Sequence, residues 1–117
     1  MAILLFARPV HPEQLRSPDV AISTKKEMLV GDRQSTMAHS AVLASISPKM
    51  ADLLSATPDG QVVQVGGWFQ YTTLLNTLTL LYQGYLVVGE EEASDVGEMV
   101  CVMRAARHLY RVQVGGP

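Results

Sequence analysis

Apolar and polar residues follow two rhythms along this chain, with a few breakers between them. Residues 2–6, AILLF, form an unbroken apolar run stopped by Arg8 and Pro9, which reads as a short buried strand. VHPEQLRSPD follows, and its two prolines leave room for a brief helix at most. VAIST and EMLV are strand candidates, GDRQ supplies turn chemistry, and STMAH returns as the second arm of a hairpin.

From Ser40 the spacing becomes helical, with Val42, Leu43 and Ile46 on one face. Ser47 followed by Pro48 is an N-cap with proline at the first helical position, so a second short helix, KMADLLSA, is expected before the TPDG turn. QVVQV is the next strand. Over residues 68–82 the four threonines and the alternating TLTL suggest a strand, whereas Leu74, Leu78 and Leu81 repeat at helical intervals with no breaker before Gly84. Length and spacing predict a helix capped by Gly84. YLVV reads as a strand, and GEEEASD as a solvated acidic loop that favours the positive start of a last helix. In that helix Asp95 and Glu98 resemble a capping box, and Val96, Met99, Val100, Met103, Ala106 and Tyr110 form one apolar face. Arg104, Arg107 and Arg111 lie in its later turns.

The chain has 117 residues, which suits one domain, and 48% hydrophobic with 17% charged residues is the profile of a folded domain. Its mildly positive mean hydropathy on so small a chain suggests apolar surface covered by a partner. A net charge of −2 gives no basic footprint for nucleic acid. The single cysteine, Cys101, excludes an internal disulfide and fits a reducing compartment; no apolar run approaches a membrane span, and an intracellular, soluble protein is expected.

Little catalytic chemistry is present. HPE at His11–Glu13 matches half of a zinc-deaminase signature whose other half needs two cysteines. His11, His39 and His108 fall in three different elements without ligand spacing, so no metal and no cofactor is expected. Cys101 reads as a small buried hydrophobe, and the methionines as core at helical spacing. Trp68 reads equally well as a binding anchor or a core aromatic. No enzyme is expected.

The segment Ala38, His39, Ser40, Ala41, Val42, Leu43, Ala44, Ser45, Ile46, Ser47, followed by Pro48-Lys49-Met50, and the later Leu80, Leu81, Tyr82, Gln83, Gly84 resemble the BTB/POZ domain family. In that family a strand ends in an alanine–histidine pair before a V-L-x-x-x-S helix, and a later helix ends in an apolar–apolar–Tyr–x–Gly run. The resemblance spans roughly residues 19–112, leaving 113–117 as a tail or linker. It implies an α+β fold, with a small mixed sheet flanked by short helices and an N-terminal strand exchanged between the subunits of a dimer. His39, with Tyr82 and Gly84, takes a structural place at the hairpin–helix junction, where the His39 ring can bond backbone groups left open at a helix start. Ser40 stands where the family has a basic residue. The family's hairpin aspartate falls on Asp19 or, in a shorter register, on Lys25. The family's usual long first helix is missing here.

What the resemblance implies functionally is association: a homodimerising, nuclear module at the start of a transcription regulator that carries DNA-binding zinc fingers further along. Ile3, Leu4, Leu5, Phe6, Val42 and Ile46 would form the dimer interface, and Asp19, Lys25, Arg33 and Ser40 a pocket for corepressor or other regulatory peptides. The resemblance implies a homodimer or a higher oligomer, and a domain that itself contacts neither nucleic acid nor membrane. The alternative is a cytoplasmic substrate adaptor for a cullin-type ubiquitin ligase. LLSATPDGQVV holds no glutamate for the hydrophobic–x–Glu motif of that class.

Overall fold

The computed structural model describes residues 2–7, 17–31, 34–105 and 109–114. They form a mixed α+β domain with two three-stranded sheets. Strands β1 (Ala2–Ala7), β2 (Val20–Thr24) and β3 (Thr36–Ala38) precede the main helices, with a short helix α1 (Lys25–Val30) between β2 and β3. Then come α2 (Ser40–Ile46), α3 (Pro48–Ala56), β4 (Val63–Val65), α4 (Tyr71–Gln83), β5 (Tyr85–Gly89), α5 (Glu90–Val102) and β6 (Leu109–Val114). None of the described helices is long and apolar enough to cross a membrane.

One sheet has the order β3-β2-β4. Strand β2 runs antiparallel to β3, pairing Val20 with Ala38, and parallel to β4, pairing Ile22 with Val63. Its inward face meets α2, α3, α4 and α5 in a core of Ile22, Leu43, Met50, Val65, Leu74 and Met99. The other sheet has the order β5-β1-β6, antiparallel throughout. Its inner residues Ile3, Leu5 and Ala7 pack with Leu80, Val96 and Val100. Helix α4 thus supplies Leu74 and Leu81 to one core and Leu80 to the other.

The expected two short helices are present. Ser47 Oγ accepts from the Met50 amide at 3.0 Å, and Pro48 opens α3. Helix α4 forms despite its threonines because Leu74, Leu80 and Leu81 are buried along it, while the Thr77 hydroxyl is satisfied by the Thr73 carbonyl at 2.7 Å and that of Thr79 by Leu75 at 2.9 Å. It stops at Gly84, whose φ of 89° is left-handed and whose amide bonds the Leu80 carbonyl.

Several expectations are overturned. EMLV is not a strand but the end of α1, because the Thr24 hydroxyl caps the Glu27 amide at 3.2 Å and Gly31 closes the helix. Glu90, Glu91 and Glu92 are not a loop; they form the first turn of α5, and Asp95 and Glu98 lie within the helix rather than at its cap. Helix α5 also ends early. Arg104 adopts a left-handed φ of 62°, the Arg104 amide bonds the Cys101 carbonyl and the Ala105 amide the Val100 carbonyl, each at 2.9 Å. This is the six-to-one closure that usually carries glycine. Tyr110 and Arg111 consequently belong to strand β6. Cys101 is exposed rather than buried; of the two readings open for Trp68, its exposure excludes the core aromatic. Ala106, Arg107 and His108 lie outside the described residues, as do residues 10–16 of the brief-helix segment, the HPE run among them.

Candidate functional site

Two surfaces collect the residues of interest. The first is the junction between β3 and α2. Asp19, just before β2, accepts from the Ser40 amide through Oδ1 at 2.8 Å and from the Ser40 hydroxyl through Oδ2 at 2.6 Å. These two bonds hold the Asp19 carboxyl below its ordinary value of 3.8, with the bond to the Ser40 side chain as the largest cause. The helix-capping role expected of the His39 ring is therefore carried by Asp19, and the His39 side chain does not cap α2.

His39 instead meets the end of α4. Its amide donates to the Tyr82 hydroxyl at 2.9 Å, and Nδ1 lies 3.0 Å from the same oxygen. Burial pushes the Tyr82 hydroxyl above its ordinary value of 10.0; the His39 amide opposes that shift and the Asp19 carboxylate adds to it. The alanine–histidine pair and the Tyr–x–Gly run are thus in contact across 43 residues.

Asp19 and Ser40 also border an open cleft of about 530 Å³, shared with Met37, Leu54, Asp59 and Gln61. Of the expected partner-pocket residues, Asp19 and Ser40 come together there. Lys25 lies beyond the far end of β2 and does not line the cleft, and Arg33 falls outside the described residues. Asp19 stands immediately before β2, and α1 fills the connection between β2 and β3. Among the described residues no group of histidine, cysteine and carboxylate side chains could hold a metal ion.

The second surface is the outer face of the β5-β1-β6 sheet. The registers pair Phe6 with Tyr85 and Tyr110, Leu4 with Val87 and Val112, and Ala2 with Gly89 and Val114. Directly paired residues share a face, so nine positions without a charge lie side by side. Phe6 and Tyr110 stack with ring centroids 5.2 Å apart and planes 18° from parallel.

The expected interface residues divide between environments. Ile3 and Leu5 are buried in their own chain at 2% and 1% exposure, Val42 is buried in α2, and Ile46 packs against the main core. Only Leu4 and Phe6 belong to the outer face. Strand β1 does not lack partners, since β5 and β6 pair with both of its edges within one chain. Tyr85, Val87 and Val112 are not among the residues the sequence points to, and Tyr110 is expected there on the apolar face of the last helix. The available signals were the unbroken apolar run of YLVV and the period-two spacing of Tyr110, Val112 and Val114.

The sequence matches no protein-family model, and no curated protein is significantly similar to it.

Proposed function

We propose that this chain is a protein-interaction and homodimerisation module of the BTB/POZ type, serving a nuclear transcription regulator and performing no catalysis. The observation that carries the association reading is the uncharged outer face of the β5-β1-β6 sheet, where Phe6, Tyr85, Val87, Tyr110 and Val112 are all exposed. Contiguous exposed apolar patches mark interaction surfaces. The BTB/POZ assignment is supported by the β3-β2-β4 sheet with its α2–α3 pair and by the contact of His39 with Tyr82. On this reading the cleft beside Asp19 is the place for a regulatory peptide. Exchange of β1 between subunits would remake, with the partner's strand, two registers that one chain already satisfies, so the dimer favoured here keeps β1 in its own chain.

The test is solution molar mass by light scattering across a dilution series of the full chain. The expected result is twice the chain mass of 12.7 kDa at micromolar concentration, falling on dilution. A monomer mass at every concentration overturns the reading.

A further inference from the structure

Strands covered on both faces read as nearly continuous apolar runs, and strands covered on one face alternate. AILLFA of β1 and YLVVG of β5 are runs of the first kind. Inside the chain, however, they are covered on one face only, by Leu80, Ala93, Val96 and Val100 of α4 and α5. The outer face retains large apolar side chains at exposures of 36% for Phe6, 58% for Tyr85, 55% for Val87, 59% for Tyr110 and 44% for Val112. With about 150–250 Å² for a whole aromatic side chain, this is roughly 500 Å² of accessible surface. A patch of that size is large for a small domain and is commonly functional.

The chemistry of the face limits its occupant. A nucleic acid or a charged peptide needs countercharges, and none of the nine positions carries one. A helix would need a groove, whereas three antiparallel strands with a stacked Phe6–Tyr110 pair offer a broad surface. The complement of an apolar sheet face is another apolar sheet face, about 10 Å away with strands nearly aligned. A second copy of this chain supplies such a face. Two together would bury about 1,000 Å², the lower bound for a specific interface.

We propose that a second copy of this chain packs sheet to sheet on the outer face of β5-β1-β6, with Phe6, Val87, Tyr110 and Val112 at the contact. The arrangement is isologous, the same patch serving both subunits, and each β1 stays in its own chain. This rests on the association reading above and specifies its surface.

The experiment compares the dissociation constant of the full chain, by sedimentation, with those of Val87→Lys and Val112→Lys and of the milder double variant Val87→Thr/Val112→Thr. Circular dichroism and melting monitor the fold of each. Each lysine is expected to raise the dissociation constant about 30-fold or more, as loss of a central anchor does, and the threonine pair at least about threefold. Threonine keeps a β-branched side chain in the strand, so the pair decides the matter if the lysine variants fail to fold. Folded variants that dimerise like the parent overturn the proposed surface while leaving the association reading intact. A parent chain that is monomeric throughout overturns both.

Discussion

The two sheets meet the same physical demand, an inner face covered by helices, and differ in what they leave outside. In β3-β2-β4, Ile22, Val63 and Val65 are buried in the core; on the other face Gln64 and Met37 are exposed and Ser23 is buried. Polar groups there are provided for, with the Ser23 hydroxyl donating to the Gln34 carbonyl and Asp19 bonding Ser40. In β5-β1-β6 the apolar residues occupy both faces, and the chain covers one. The contrast teaches that a hydrophobic run can report more burial than the chain alone provides. One sheet buries its apolar strand residues mainly against the helices, and the other leaves large apolar side chains exposed on its outer face.

The largest test of this division uses the helix common to both halves. Leu74 and Leu80 are each fully buried, one in each core. Replacing either by alanine is expected to cost about 2–5 kcal/mol. Because α4 belongs to both cores, each variant should unfold in one transition in urea, with far-ultraviolet dichroism and Trp68 fluorescence coinciding. If Leu80→Ala yields a separate early transition, the halves are independent and the comparison is between two units rather than two faces of one.

The next effect sharpens the polar side. Tyr82→Phe removes the hydroxyl that accepts from the His39 amide and contacts Nδ1. A loss of about 1–2 kcal/mol is expected, the cost of depriving a part-buried donor of its acceptor. Thermal melting checks it; a variant that melts with the parent shows that the junction is held by packing rather than by this bond.

Legibility in the sequence follows the same division. The segment from Ser40 to Gly84 could be read because its signals are local: Ser47-Pro48 starts α3, and Gly84 ends α4 after a leucine repeat. Helix α1 was missed because six residues are too few to show a helical period, and Met28, Leu29 and Val30 suit a strand equally well. Around α5 the acidic run from Glu90 has the composition of a solvated loop, and the stop carries no sequence signal because Arg104 occupies the position where glycine is usual. That single misplaced boundary turned Tyr110 from a strand residue into a helical one. The outer face could not be assembled from sequence at all, since its strands come from residues 2–7, 85–89 and 109–114 and meet only through tertiary pairing. His39 stands between β3 and α2, but the group that caps α2, Asp19, lies 21 residues from the amide it caps.

Arg104 itself offers a smaller, stabilising test at the joint where the chain leaves α5 for β6. A non-glycine residue in the left-handed region costs about 1–2 kcal/mol. Arg104→Gly relieves it but adds unfolded-state freedom, so a net gain of about 0.5–1 kcal/mol is expected, read as a higher melting temperature. An unchanged or lower melting temperature means that the Arg104 side chain makes compensating contacts.

The smallest expected effect is electrostatic and belongs to Asp19. Its carboxyl titrates below the ordinary value because its charged form accepts two bonds from Ser40. A group whose pKa is depressed by folding stabilises the fold above its unfolded pKa, and that contribution disappears as pH falls through the folded value. Asp19 is solvent-exposed, so screening limits the contribution to under about 1 kcal/mol. Asp19→Asn keeps an acceptor for the Ser40 amide while removing the charge. The parent should therefore be slightly more stable than the variant from neutral pH down to about pH 4, and the gap should close below 3.8, where the parent's carboxyl takes up a proton. Because the interaction is a pair of short hydrogen bonds rather than a distant ion pair, moderate salt should leave most of the gap in place. Urea titrations of both proteins between pH 7 and pH 2.5 measure it. A gap that persists at the acid end would show that the residue acts through its shape and not through its charge.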